Sequence, residues 1–116
     1  MSTTLYHNPG CSKSQATLAL LEANGVRPEI RLYLEQGPSA EELGQLLIML
    51  GMDDARNLMR KGENAYELEQ LANIHLTQSE LINAMVNSPK LIERPIVIHQ
   101  GRARIGRPPA SVLEIL

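Results

Sequence analysis

The chain contains no tryptophan and no phenylalanine, and its aromatic residues are three tyrosines, Tyr6, Tyr33 and Tyr66. It therefore lacks the stacking platforms on which single-stranded nucleic acid is held. A charge excess of one sign is missing too. Eleven basic residues against 13 acidic ones leave a net charge of −2, with no general attraction for nucleic acid or anionic lipid. Any anion site must be local. No apolar run approaches the about 20 residues that a helix needs to cross a bilayer, which excludes a helical membrane span.

Cysteine is nearly absent. Cys11 is the only one, so no disulfide can form within the chain. The start shows no charged leader followed by an apolar stretch and a small-residue cleavage site, and the expectation is a cytoplasmic protein in a reducing compartment. A chain of 116 residues is expected to fold as one domain, residues 1–116, large enough to do so without staples.

No repeat, low-complexity tract or linker interrupts it. "TTLYH" reads as a short buried strand. A helix follows from Ser12 to Asn24, with Ser12 and Gln15 spaced as a capping box and Asn24-Gly25 as the stop. "EIRLYL" is a second strand ending at Gly37-Pro38. A helical block opens on a further capping box, Ser39 and Glu42, carries Leu43, Leu46, Leu47 and Leu50 on one face, and ends at Gly51. "DDARNLMRKG" and "NAYELEQL" predict two short helices. Thr77 and Glu80 cap another that buries Leu81, Ile82, Met85 and Val86 before Pro89. "PIVIHQ" and "RARIG" then read as strands joined at Gln100-Gly101, and "PASVLEIL" as a closing helix with Pro109 in its first turn.

The first strand–helix–strand unit implies parallel pairing and the late hairpin antiparallel pairing, so the sheet is expected to be mixed. The predicted class is α/β: a thioredoxin-like, mixed four-stranded sheet flanked by helices, with a helical insertion between strands 2 and 3. The core is assigned to residues 1–37 and 89–116 and the insert to 38–88.

In that plan Cys11 lies between the first strand and the first helix, where unpaired backbone N–H groups and the helix dipole favour negative charge. An ordinary thiol with pKa about 8.5 is only a few per cent thiolate at neutral pH, so a modest downward shift multiplies the nucleophile. His7 and Lys13 are near enough in sequence to add positive potential, and Ser14 could donate a hydrogen bond to the sulfur. A buried, inert cysteine is the alternative. Against it, Asn8, Pro9, Gly10, Ser12 and Lys13 are loop and cap residues with no apolar neighbour. Cys-x-x-Ser replaces the self-contained dithiol Cys-x-x-Cys, so a turning-over Cys11 needs an external thiol.

"LMRKG", "ERPIV" and "IGRPP" put Arg60, Arg94 and Arg107 at element boundaries. Arg94 and Arg107 both precede proline, which favours extended geometry at sheet ends where sites form. Guanidinium forks match oxyanion geometry and stay charged, so three of them around a helix N-terminus would make an arsenate, phosphate or sulfate pocket. Arg102 and Arg104 alternate along a strand and read as exposed. His75 and His99 lack ligand-spaced partners, and no metal site is expected. Met49, Met52, Met59 and Met85 read as core filler.

Taken together, "YHNPGCSKS", "YLE", "LMRKG", "ERPIV" and "IGRPP" resemble the glutaredoxin-linked arsenate reductase family, in order and over nearly the whole chain. The resemblance implies that Cys11 attacks arsenate, that Arg60, Arg94 and Arg107 hold the oxyanion and its reduced product, and that His7 and Ser14 tune or orient the thiolate. It implies no bound cofactor, with glutathione as reducing co-substrate and a glutaredoxin as partner, and a monomer is expected. By analogy with thioredoxin-like folds Pro95 is a candidate for a cis peptide bond. The family's usual Cys-x-x-Ser-Arg departs here to Gln15. Two related classes do not fit. A low-molecular-weight phosphatase loop needs Cys-x5-Arg, but Thr17 stands at that position, and a monothiol glutaredoxin would have Thr-Val-Pro in place of Glu93-Arg94-Pro95. The alternatives are a glutathione-dependent thiol oxidoreductase acting on another substrate, and a non-catalytic relative of the Spx regulators that bind RNA polymerase.

Overall fold

A computed structural model describes residues 2–116. The chain divides into two compact units, one running to Gln36 and resuming at Arg94–Leu116, the other Gly37–Glu93.

The first unit holds the sheet. Strands β1 (Thr3–Tyr6), β2 (Glu29–Arg31), β3 (Ile96–His99) and β4 (Arg102–Ile105) lie in the order β2-β1-β3-β4. β1 pairs parallel with β2, while β1–β3 and β3–β4 are antiparallel, giving the expected mixed sheet. Leu5 sits opposite both Ile30 and Val97, which sets the register. Leu5 and Val97 then pack with Leu21 of helix α1 (Ser12–Ala23) and with Val112 and Ile115, all without solvent exposure. Burying five such aliphatic side chains stabilises the unit by about 1.5–3 kcal/mol each.

Two elements of this unit differ from the sequence expectation. "EIRLYL" remains a strand only as far as Arg31, because the Leu32 carbonyl accepts the N–H groups of Glu35 and Gln36 and turns the chain. The closing helix, Pro109–Ile115, is of the 3-10 type. Its first turn is set by an i to i+3 bond from Ser111 N–H to the Pro108 carbonyl. The hairpin turn falls where expected: Gln100 (φ 51°) and Gly101 (φ 78°) take the left-handed pair that joins β3 to β4 in two residues.

The second unit is helical. Helix α2 (Ala40–Leu50) starts on the Ser39/Glu42 capping box, both hydrogen bonds formed, and stops at Gly51, whose φ of 72° is the left-handed cap that glycine adopts without penalty. Helix α3 (Asn64–Leu68) is short, and α4 (Gln78–Asn87) starts on the Thr77/Glu80 box. Leu43, Leu46 and Leu47 of α2 are buried, as are Leu81, Ala84 and Met85 of α4, while Ile82 and Val86 are half-buried. "DDARNLMRKG" forms only a 3-10 turn at Ala55–Leu58, because Met59 leaves it to bridge antiparallel to Ile92. Arg60 N–H donates to the Leu91 carbonyl (2.7 Å) and Glu93 N–H to that of Leu58 (2.8 Å), extending the bridge to either side.

Candidate active site

β1 ends at Tyr6, and the next five residues, ending in Cys11 itself, lead to the start of α1. Asn8 shapes this loop with two oxygens: its side chain accepts Gly10 N–H (3.0 Å) and its carbonyl accepts Cys11 N–H (3.0 Å). Cys11 is itself the N-cap, with extended φ −103° and ψ 123°, and its carbonyl accepts the first helical bond from Gln15 N–H. The Ser12/Gln15 capping box therefore does not form. Ser12 is already the first helical residue, and the Gln15 side-chain amide turns back to the Pro9 carbonyl.

Cys11 is free and 9% exposed. Burial pushes its thiol pKa up, but the N–H dipoles of Ser14 and Lys13 and the positive charges of Arg94 and Arg107 outweigh it, so the net shift is downward. Both N–H groups belong to the first turn of α1, so the start of the helix supplies the larger part of the lowering and the two arginines the rest.

The β3–β4 register brings the two arginines together. Ile96 pairs with Ile105, the next step outward is the bond from Gly106 N–H to the Pro95 carbonyl (2.9 Å), and the step beyond that is Arg94 beside Arg107. Arg107 Nε donates to the Arg94 carbonyl at 2.8 Å. The Arg94–Pro95 and Arg107–Pro108 bonds are both cis. Arg94 Nε is buried with no hydrogen-bond partner among the described residues. Arg60 belongs to the other unit, where its guanidinium pairs with Glu63 at 3.0 Å.

His7 and Ser14 meet each other instead of meeting the sulfur. Ser14 Oγ, fully buried, accepts Asn8 N–H (3.1 Å) and lies 2.6 Å from His7 Nδ1. The short contact satisfies the ring nitrogen and the hydroxyl together, whichever of the two carries the shared proton. Burial lowers the His7 pKa, so the ring is neutral at pH 7 and adds no positive potential, contrary to the sequence expectation. Lys13 likewise contributes through its backbone N–H, its side chain being exposed. A cavity of about 270 Å³ lined by His7, Asn8, Pro9, Leu32, Leu34 and Glu35 adjoins this loop. Among the described residues no cluster of three or more His, Cys, Asp or Glu side chains could hold a metal ion.

The sequence marks Asn8 only as a loop residue, although Asn-Pro-Gly is a turn signal that could have assigned it the shaping of this loop. The sheet order, the cysteine on a helix N-terminus and the arginine pair at the end of the hairpin define a thioredoxin-like protein with a single thiol whose ionisation is favoured. Residues 6–115 match the model of the ArsC family, and the chain belongs to that family. It is 51% identical to the arsenate reductase of Haemophilus influenzae over 116 residues, the whole of both chains. To the uncharacterized protein YfgD of Escherichia coli it is 56% identical over 112 residues, covering 97% of this chain and 94% of that one. The solved structure of an arsenate reductase from Vibrio cholerae superposes with a TM-score of 0.98 at 52% identity, covering 100% of this chain and 98% of that chain.

Proposed function

We propose that this chain is an arsenate reductase in which Cys11 is the nucleophile and Arg94, Arg107 and Arg60 hold the oxyanion. The observation that carries the reading is Arg94 Nε, a guanidinium donor buried without a partner next to a thiol whose ionisation Arg94 favours. An unmet buried donor costs about 1–3 kcal/mol, more for a charged group, and a tetrahedral oxyanion arriving for attack by Sγ would satisfy it. The relatives named arsenate reductase, similar over essentially the full chain, supply the arsenic. Arg60 is assigned its role from the "LMRKG" motif, and to serve it must exchange the Glu63 carboxylate for the substrate.

The proposed reaction begins when the Cys11 thiolate displaces an oxygen of arsenate, which leaves as water after protonation, to form an S–As(V) adduct. Arg94 and Arg107 neutralise the charge on the remaining oxygens. Two electrons are then needed to reach As(III). Cys11 has no partner thiol in the chain, so both come from outside: one glutathione attacks the adduct, a second thiol completes the reduction, and the two external sulfurs end as one disulfide. Hydrolysis of the S–As(III) bond releases arsenite and returns Cys11 as thiolate. A glutaredoxin is the proposed carrier of the second step, in the cytoplasm, where glutathione is kept reduced. His7 and Ser14 hold the loop that presents Cys11.

The test is a coupled assay with arsenate, glutathione and glutaredoxin. Cys11→Ser is expected to abolish turnover, and omission of glutaredoxin to slow it. Equal rates in parent and Cys11→Ser would overturn the assignment of the nucleophile.

A further inference from the structure

Gly106 lies between the two halves of the arginine pair. Its N–H bonds the Pro95 carbonyl, and the next residue is Arg107. It is buried, and a Cβ at this position would stand 2.5 Å from Thr17 Oγ1, 2.8 Å from Pro95 Cγ and 3.4 Å from Thr17 Cγ2. Gly25, Gly51 and Gly101 have positive φ, whereas Gly106 does not. What excludes a side chain here is space alone.

Neither neighbour can easily yield. Pro95 Cγ belongs to a ring that directly follows Arg94. Thr17 is fully buried on the first turns of α1, β-branched and stiff at χ1, with Oγ1 donating to the Lys13 carbonyl at 2.9 Å. A methyl group at 106 would therefore press the start of α1, with Cys11 as its cap, away from Pro95 and the arginines on either side. We propose that Gly106 is a positioning residue for the reaction: its bare backbone lets Thr17 and Pro95 close on one point and so sets the separation between the Cys11 thiolate and the guanidinium groups of Arg94 and Arg107.

This role presupposes that Cys11 is the nucleophile and the two arginines its anion donors, and the experiment keeps the two claims apart. The rate of iodoacetamide alkylation of Cys11 is followed against pH in the parent, Arg94→Ala, Gly106→Ala and the double variant Gly106→Ala/Thr17→Ala, alongside arsenate kinetics and thermal melts. The alkylation rate reports the thiolate fraction and needs no turnover. Gly106→Ala is expected to move the profile to higher pH, lowering the alkylation rate at about pH 6.5 by about 3- to 10-fold, and to raise KM for arsenate in a protein that still melts cooperatively. Truncating Thr17 removes two of the three close contacts, so the double variant is expected to fall between the single variant and the parent.

Should Gly106→Ala fail to fold, the double variant carries the test by the same measure against the parent. A folded Gly106→Ala with the parent's pH profile and arsenate KM or, where that variant does not fold, a double variant with them, while Arg94→Ala shifts both, would overturn the positioning role alone. An Arg94→Ala profile identical to the parent's would overturn the reading of the site, and the role of Gly106 with it. A loss of melting temperature with an unchanged pH profile would mark Gly106 as structural only, and would also refute the proposal.

Discussion

Arg94→Ala separates binding from stability, because the same atom enters both with opposite sign. In the free protein the buried, unpaired Nε destabilises the fold by about 1–3 kcal/mol. Truncation removes that cost together with the packing of the aliphatic stem, and the two effects offset, so the melting temperature should stay within about 5 °C of the parent, roughly 1 kcal/mol. Arg107 keeps its anchor, since it donates to the Arg94 backbone carbonyl, which alanine retains. Activity should behave differently. Losing a charge-assisted hydrogen bond of about 1.5–3 kcal/mol to the oxyanion lowers kcat/KM for arsenate by about 10- to 150-fold. The acid limb of the pH profile also moves upward, because a positive charge that depresses the Cys11 pKa has gone. Arg94→Lys restores the charge but neither Nε nor the fork, so it should recover the pH profile and not the affinity. As a control, Arg102 donates to the Ile115 carbonyl at 3.3 Å, and Arg102→Ala should leave arsenate kinetics unchanged. Steady-state kinetics across pH with parallel melts would check all three variants. If Arg94→Ala keeps kcat/KM within about twofold of the parent, or loses activity only in proportion to a loss of fold, Nε is not a substrate donor.

Two further predictions concern the frame of the site and the caps. His7 has its pKa lowered by burial, so the folded state holds it neutral where the unfolded chain would begin to protonate. Its contribution to stability is complete above about pH 6.5 and is lost progressively as the pH falls toward and through the lower folded value. Urea midpoints at about pH 7.5 and about pH 5 should therefore separate less in His7→Gln than in the parent, and an equal separation would refute the assignment. Ser39 Oγ accepts Glu42 N–H at 3.1 Å, so Ser39→Ala should cost about 1 kcal/mol. Ser12→Ala should cost almost nothing, because Cys11 holds the N-cap. Matching losses at Ser12 and Ser39 in denaturant melts would contradict the placement of the helix start.

The comparison of those two serines explains what could be read without coordinates. Spacing alone identified Ser39/Glu42 and Thr77/Glu80, because a helix that begins where its apolar face begins leaves no choice of cap. Ser12/Gln15 has the same spacing, yet α1 is anchored one residue earlier by the bond from Cys11 N–H to the Asn8 carbonyl, which depends on a turn that the capping rule does not include. Strand β2 was read too long for a similar reason. "EIRLYL" alternates through to Leu34, but a turn that begins on the Leu32 carbonyl outcompetes the pairing.

The site divides along the same line. Lowering of the Cys11 pKa by its own helix start could be anticipated, because Lys13 and Ser14 follow the cap in sequence. The positions of Arg94 and Arg107 at strand ends were also legible, each being followed by proline. What joins them is the β3–β4 register, visible only once Ile96 is seen opposite Ile105. The destination of Ser14 was not legible at all. A residue three after the cysteine lies over the same helix face, yet its hydroxyl goes to His7 at the end of β1 because a buried imidazole and the Asn8 N–H both need it. That choice has a chemical consequence. The Ser14 hydroxyl is not among the groups that lower the Cys11 pKa, which are the backbone N–H groups at the start of α1 and two guanidinium groups. In the proposed reaction those same two guanidinium groups are shared with the oxyanion, whose negative charge raises the thiol pKa, so that each thiolate becomes a stronger nucleophile while a smaller fraction of the thiol is ionised.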